Sequence, residues 1–206
     1  MNYHTLRDSL KDFTVFSLRD ILRVEPGFHR RRLNDWQAKE YIRKVIKGFY
    51  IFAGLPLDEM VLFEIANRVY KPSYVSLESA LAYYQLIPES VFGVTSISTR
   101  RTYRFSTELA EFRFRTVKPG LFFGYDLVSV HGKRVKIARP EKAVLDFLYL
   151  NPSYRSGPEF ESLRIDTDRI FRTVSSRDLR AATARFARKA FVSRVDLFVD
   201  HLRSRT

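Results

Sequence analysis

The sequence predicts an α+β protein whose two ends are basic and helix-rich and whose middle carries the main sheet. Three observations lead there. Residues 1–55 set short helices and a Pro-Gly turn ahead of two β-rich runs around Lys47-Gly48; residues 56–151 mix helical spacing with period-two strands; residues 152–206 return to helical periodicity. The three segments carry 11, 13 and 12 Lys+Arg against 6, 10 and 7 Asp+Glu, so most of the formal net charge of +13 sits at the two ends.

In the first segment, Leu6 and Leu10 share one face of a short opening helix. Ser17 with Asp20 three residues on reads as a capping box, and the helix it starts should run through Leu22 and stop before Pro26-Gly27. A third helix is expected over 29–39. Leu33 and Trp36 fall on one side of it, with His29 and Glu40 near them; Arg31, Asn34, Asp35 and Ala38 lie opposite, with Arg30 at that face's edge and Arg32 beyond the other. The runs 41–46 and 49–52 around Lys47-Gly48 read as a hairpin. Helix, helix, turn, helix and hairpin is the order of a winged helix-turn-helix. On that reading Arg30, Arg31 and Asn34 enter a major groove, Arg43, Lys44 and Lys47 touch phosphate, and Arg32 is counted with them as DNA-binding. Tyr41, Phe49, Tyr50 and Phe52 suit a core better than base stacking, and neither hairpin face alternates cleanly enough to say which is buried.

In the middle segment Asp58 is positioned to cap a helix carrying Val61, Ile65 and Val69, and Ser76 to cap another over 77–85. Strands are expected over 91–98, 102–106 and 112–117, the last with Phe112, Phe114 and Thr116 alternating against Arg113, Arg115 and Val117. A second pair, 125–130 and 134–137, surrounds His131-Gly132. Pro140 opens a well-buried helix over 140–150, closed by Asn151-Pro152.

Residues 151–158 read as a loop. Beyond it, Leu179, Ala182, Thr183, Phe186 and Ala190 keep one helical face, and Arg177, Arg180, Arg185 and Arg188 form a stripe on the other with no carboxylate among them. Ser193 with Asp196 is expected to cap a last helix with Val195, Phe198, Val199 and Leu202 inward. The stripe reads as a binding surface for DNA or for an acidic protein.

With 45% hydrophobic and 15% aromatic residues the chain is predicted to fold, and no apolar run approaches the ~20 residues of a membrane span. An N-terminus without a signal-like stretch and the absence of cysteine suit a cytoplasmic protein without disulfides, thiol catalysis or cysteine zinc sites. Enzyme motifs are lacking: the histidines at 4, 29, 131 and 201 have no ligand spacing, and no Gly-rich phosphate loop or Gly-x-Ser-x-Gly occurs. Asp126 and Glu141 remain as carboxylates for a metal-dependent nuclease, but Glu141 has a structural reason to open a helix. No catalytic residue, cofactor or metal is expected.

Gly48-Phe49-Tyr50, the run Tyr74-Val75-Ser76-Leu77-Glu78-Ser79-Ala80-Leu81, and Ala138-Arg139-Pro140-Glu141-Lys142-Ala143-Val144-Leu145-Asp146 resemble, in this order, the AbiEi family of antitoxins of type IV (abortive infection) toxin–antitoxin systems. The resemblance covers about residues 17–150. It implies an N-terminal winged helix that binds inverted repeats in the protein's own promoter, represses the operon, and belongs to a phage-defence pair. It further implies a mixed α/β antitoxin domain that counteracts a cognate nucleotidyltransferase toxin, with or without direct contact, and a C-terminal part needed for that effect. It makes Ser76, Glu78, Pro140, Glu141 and Lys142 scaffold. The expected protein acts as a monomer or cooperatively on DNA; the alternatives are a stand-alone winged-helix regulator and a DNA-processing enzyme.

Overall fold

The computed structural model describes residues 2–88, 92–130 and 132–205; Val91 of the expected 91–98 strand and His131 of the expected turn lie outside them. The chain is α+β. It opens with α1 (Tyr3–Ser9), β1 (Phe16–Ser17), α2 (Leu18–Val24), α3 (Arg31–Ala38), β2 (Ile42–Ile46) and β3 (Phe49–Phe52). The capping box forms as the sequence predicts: Ser17 N–H donates to Asp20 Oδ2 at 2.8 Å and Asp20 N–H returns to Ser17 Oγ at 3.4 Å. Helix α3 is shorter than 29–39, because Lys39 leaves helical geometry and Glu40 turns to φ +55°; His29 and Glu40 are exposed rather than near the buried side.

β1 is not visible in the sequence. It is two residues long and pairs with β3, giving a three-stranded antiparallel sheet of order β1-β3-β2. Ambiguity in the hairpin has a cause in this sheet, which is covered on both faces. Phe16, Ile42, Tyr50 and Phe52 pack with Leu6, Leu10, Ile21, Leu33 and Trp36, while Val15, Val45, Phe49 and Ile51 join the larger core of the rest of the chain. A bulge between Lys44 and Ile46 further breaks the alternation.

The second sheet has order β6-β7-β5-β4-β9-β8, built from β4 (Ser73–Val75), β5 (Val94–Ser98), β6 (Tyr103–Ser106), β7 (Glu111–Thr116), β8 (Tyr125–Val130) and β9 (Lys133–Ala138). Phe112 and Phe114 are buried between half-exposed or exposed arginines as expected, but the alternation reverses where β7 ends: Thr116 is exposed and Val117 buried. α4 (Glu59–Val69), capped by Asp58, α5 (Leu77–Tyr83) and α6 (Pro140–Leu150) pack with this sheet. Ser76 precedes α5 without capping it by its side chain. Thr95 of β5 supplies the hydroxyl instead, accepting from Ser79 N–H at 3.1 Å and donating to the Ser76 carbonyl at 2.8 Å.

Ser76 is committed to a buried polar cluster. Its Oγ donates to Asp146 Oδ2 at 2.8 Å, beside Tyr74 Oη at 2.9 Å. Lys142 Nζ donates to Tyr74 Oη at 2.9 Å and to Asp146 Oδ1. Both ions are fully buried, roofed by the Phe123 ring 4.8 Å and the Phe186 ring 5.4 Å from the ammonium. Burial pushes the Lys142 amine down and the Asp146 carboxyl up, against the attraction each exerts on the other.

The C-terminal part departs furthest from expectation. Two helices occupy stretches for which none is expected, α7 (Gly157–Ser162) and α8 (Thr167–Thr173); α9 (Ser176–Ala184) then stops, and α10 (Lys189–Arg203) begins four residues before Ser193. Ser193 and Asp196 are therefore exposed positions inside α10, and Ala190 is exposed in its first turn. Phe160, Ile170, Leu179, Phe186, Phe191, Val195, Phe198 and Leu202 belong to the same core as α4–α6. Among the described residues no helix is long and apolar enough to cross a membrane.

The first segment is fastened to α4 by Arg68, whose Nη2 lies 2.9 Å from Asp20 Oδ2 and whose guanidinium covers the Phe13 ring at 4.9 Å. Burial pushes the Asp20 carboxyl up, but the bonds from Ser17 and the Arg68 charge outweigh it and hold the group below the usual value. Asp20→Ala is expected to lower stability to urea by about 2 kcal/mol at neutral pH. A depressed carboxylate contributes above its unfolded value, and that contribution fades as pH falls through the folded one. The gap between wild type and variant should thus be complete above about pH 4 and close below it; a gap constant from neutral to strongly acid pH would refute the assignment.

Lys142→Met leaves Asp146 buried without a cation and should cost about 3–5 kcal/mol, whereas adding Asp146→Leu should recover most of the loss. Denaturant curves of the two variants decide it; a single variant as stable as wild type would show that the pair carries no such weight.

Candidate functional site

Five of the seven side chains expected at the N-terminal surface meet in one groove. Arg30, Arg31 and Asn34 line it from α3 and Lys44 and Lys47 from the hairpin, over a floor of Leu18, Leu33, Gly48 and Tyr50; its volume is ≈ 340 Å³. Helix α3 is held in position by its inward face. Leu33 and Trp36 are buried, and the Trp36 ring lies 5.5 Å from that of Phe28. The opposite face, with Arg31 and Asn34, is left in solvent. Gly48 makes the hairpin turn at φ +85°, where a side chain would be strained, and this brings Lys47 to the tip. Lys44 pairs with Tyr50, on the sheet face toward α3.

The electrostatics are one-sided. Four cations line the groove and no carboxylate does; Asp35 is exposed on α3 but outside the lining. The first turn of α3 holds no acidic residue and no side chain caps it, so the positive end of the helix dipole is not offset there. Leu18 and Tyr50, which complete the floor, were beyond sequence reasoning because the two residues reach the groove from different elements and carry no charge signal.

Arg32 and Arg43 are not part of this groove. Arg32 is exposed on α3 but outside the lining. Arg43, expected beside Lys44 and Lys47, does not share their groove. It pairs across from Ile51, so strand alternation turns it to the sheet face opposite Lys44. There it is half-buried, donates from Nη2 to the Ala53 carbonyl at 3.4 Å, and lines a separate cleft of ≈ 1060 Å³ with Ser106, Thr107 and Glu108.

The C-terminal arginines do not form the expected single-helix stripe. Arg177 and Arg180 are exposed on α9, whereas Arg185 follows its last turn and Arg188 precedes α10. The helix breaks because Phe186 turns inward onto Tyr149 and Phe191, with ring centroids at 5.2 and 4.6 Å, and Ala187 takes φ +50°. Arg185 is drawn over the Phe123 ring at 3.6 Å, and the Arg188 guanidinium lies 5.9 Å from Tyr149. Arg177 and Arg180 alone keep the geometry of a helical face.

The two carboxylates weighed for metal chemistry have other surroundings. Asp126 accepts from Arg139 Nε at 2.9 Å, and Glu141 lies in the first turn of α6. Among the described residues no three His, Asp or Glu side chains form a group able to hold a metal ion. No protein-family model matches the chain, and no curated protein sequence matches it.

Proposed function

We propose that the chain is a cytoplasmic DNA-binding antitoxin of the AbiEi kind, which represses its own operon and counteracts a nucleotidyltransferase toxin. In this reading α1–α3 and β1–β3 form a winged helix-turn-helix. Helix α3 enters the major groove, with Arg31 and Asn34 toward base edges, and the β2–β3 hairpin is the wing that follows the sugar-phosphate backbone. The observation that carries it is the convergence of Arg30, Arg31, Asn34, Lys44 and Lys47 on a groove with no acidic lining. Phosphate is the anion that a row of cations beside a helix N-terminus suits best. The toxin half of the proposal rests on the three motifs that resemble the family, and the exposed pair Arg177 and Arg180 is its proposed surface for an acidic partner.

Titrating a labelled fragment of the protein's own promoter tests the DNA half. Arg31→Ala should weaken binding about tenfold or more. Arg43→Gln should stay within about twofold of wild type, because Arg43 faces away from the groove. With the other three groove cations, Arg30, Lys44 and Lys47, on phosphates, log affinity should fall against log salt with a slope of about −3. Binding indifferent to salt, or equally affected by both substitutions, would overturn the assignment.

For the toxin half, the measurement is survival of cells that express the adjacent nucleotidyltransferase with the full-length chain. Arg177→Ala with Arg180→Ala should reduce protection while leaving promoter affinity unchanged. Full protection by that variant would remove α9 as the surface.

A further inference from the structure

A cleft between α4 and the β8–β9 hairpin is walled by residues that carry several of the unpartnered buried polar atoms found among the described residues. The cleft has a volume of ≈ 350 Å³, and Asn67, Arg68, Lys71, Ser73, Arg134 and Lys136 line it. Its origin is topological. Strand β4 runs parallel to β9 but pairs with it only at Val75↔Ile137, so the two strands part toward Ser73 and α4 closes the opening from one side. Asn67 marks that closure: its Oδ1 accepts from the Lys136 N–H at 2.6 Å.

Three buried polar atoms in this lining have no hydrogen-bond partner: Asn67 Nδ2, Arg68 Nε and Ser73 Oγ. Ser73 is 2% exposed, so its hydroxyl cannot turn to bulk water. Two of the three atoms are obligate donors and the third can donate. Leaving such groups buried and unpaired is unfavourable. Around them stand three further cationic side chains, Lys71, Arg134 and Lys136, of which Lys71 and Arg134 are exposed at the mouth. The one acidic residue in the lining, Glu64, already accepts from Thr14 Oγ1. Arg68 holds Asp20 through Nη2, while its buried Nε has no partner.

We infer that this cleft binds a phosphate group carried on a small molecule. The donors outnumber what a carboxylate with two oxygens accepts, whereas a tetrahedral phosphate presents enough acceptors to meet Asn67, Arg68 and Ser73 together and still face Lys71 and Arg134. The volume exceeds that of the ion alone, and Leu127, 50% exposed, forms an apolar wall against which an organic substituent fits. The site shares no residue with the groove between α3 and the hairpin, so it stands or falls independently of DNA binding.

Calorimetric titration of the full chain in phosphate-free buffer, at constant ionic strength, tests this with inorganic phosphate and with adenosine monophosphate as probes. Saturable binding by one or both is expected, and chloride should not compete. Tighter binding of the mononucleotide places its substituent along Leu127; equal affinity assigns the site to the phosphate group by itself. Asn67→Asp keeps the acceptor for the Lys136 N–H but replaces the buried donor with a carboxylate oxygen, and should weaken binding by more than about tenfold. Lys71→Gln with Arg134→Gln changes only exposed side chains, leaves the fold intact, and should weaken binding about tenfold. Absence of saturable binding by both probes up to about 10 mM would mean that water alone meets these donors, and unchanged affinity in the surface variant would mean that the anion binds elsewhere; either result would overturn the site.

Discussion

A fully buried lysine and aspartate govern the interior of this protein. Taking Lys142 and Asp146 out of water is tolerable only if their remaining hydrogen-bonding capacity is met and the pair is sealed. Those two requirements explain features that otherwise look unrelated. Tyr74 from β4 and Ser76 from the start of α5 are fixed to the carboxylate, so strand, helix and α6 are held at one point. Ser76 is thereby lost to α5 as a cap, and Thr95 from the neighbouring strand replaces it. The ammonium needs a roof, and Phe123 and Phe186 provide it. Gly124 belongs to the same demand: a Cβ there would come within 3.1 Å of the Lys142 side chain, and its φ is +71°.

The inward turn of Phe186 carries the effect to the surface. Because that ring is needed over the lysine, α9 ends at Ala184 and the chain bends before α10 starts. Arginines that a continuous helix would align are divided between a helix face and a turn, with Arg185 stacked on the roof residue Phe123. A similar logic orders the N-terminal segment. Its small sheet lies between two cores, so neighbouring residues of β2 serve opposite purposes: Lys44 faces α3 and the groove, while Arg43 faces the rest of the chain. Asp20 and Arg68 then tie the capping box of α2 to α4.

This division also explains which parts could be read in the amino-acid sequence. Signals confined to one element were readable. Pro140 with its apolar arc specified α6 over its full length, the Ser17–Asp20 box specified the start of α2, and Leu33 with Trp36 specified the buried face of α3. Arg30, Arg31 and Asn34 sit on the exposed face that Leu33 and Trp36 leave outward on α3, and Lys44 and Lys47 of the hairpin line the same groove. Features set by partners distant in the chain were not readable. β1 exists only because β3 pairs with it, Arg43 is turned by a sheet covered on both faces, and the α9–α10 break answers to Lys142. Nor did residue spacing reveal the cleft proposed for phosphate, whose walls come from α4, β4, β8 and β9.

The continuity of the larger core bears on how the C-terminal arginines are to be understood. Phe160, Phe186, Phe191, Val195 and Phe198 pack with residues of α4, α5 and α6 in one cluster, and Arg194 donates to the Leu148 carbonyl at 2.8 Å. A chain ending near Leu150 would therefore uncover the Lys142–Asp146 pair and the apolar face of α6 together. Any loss of activity in such a fragment would report unfolding of the interior, not removal of a binding surface. Roles for Arg177 and Arg180 are separable only by substitutions at the surface, where neither side chain supports the core. Arg185 differs from them, because its guanidinium covers the Phe123 ring that seals the buried charges.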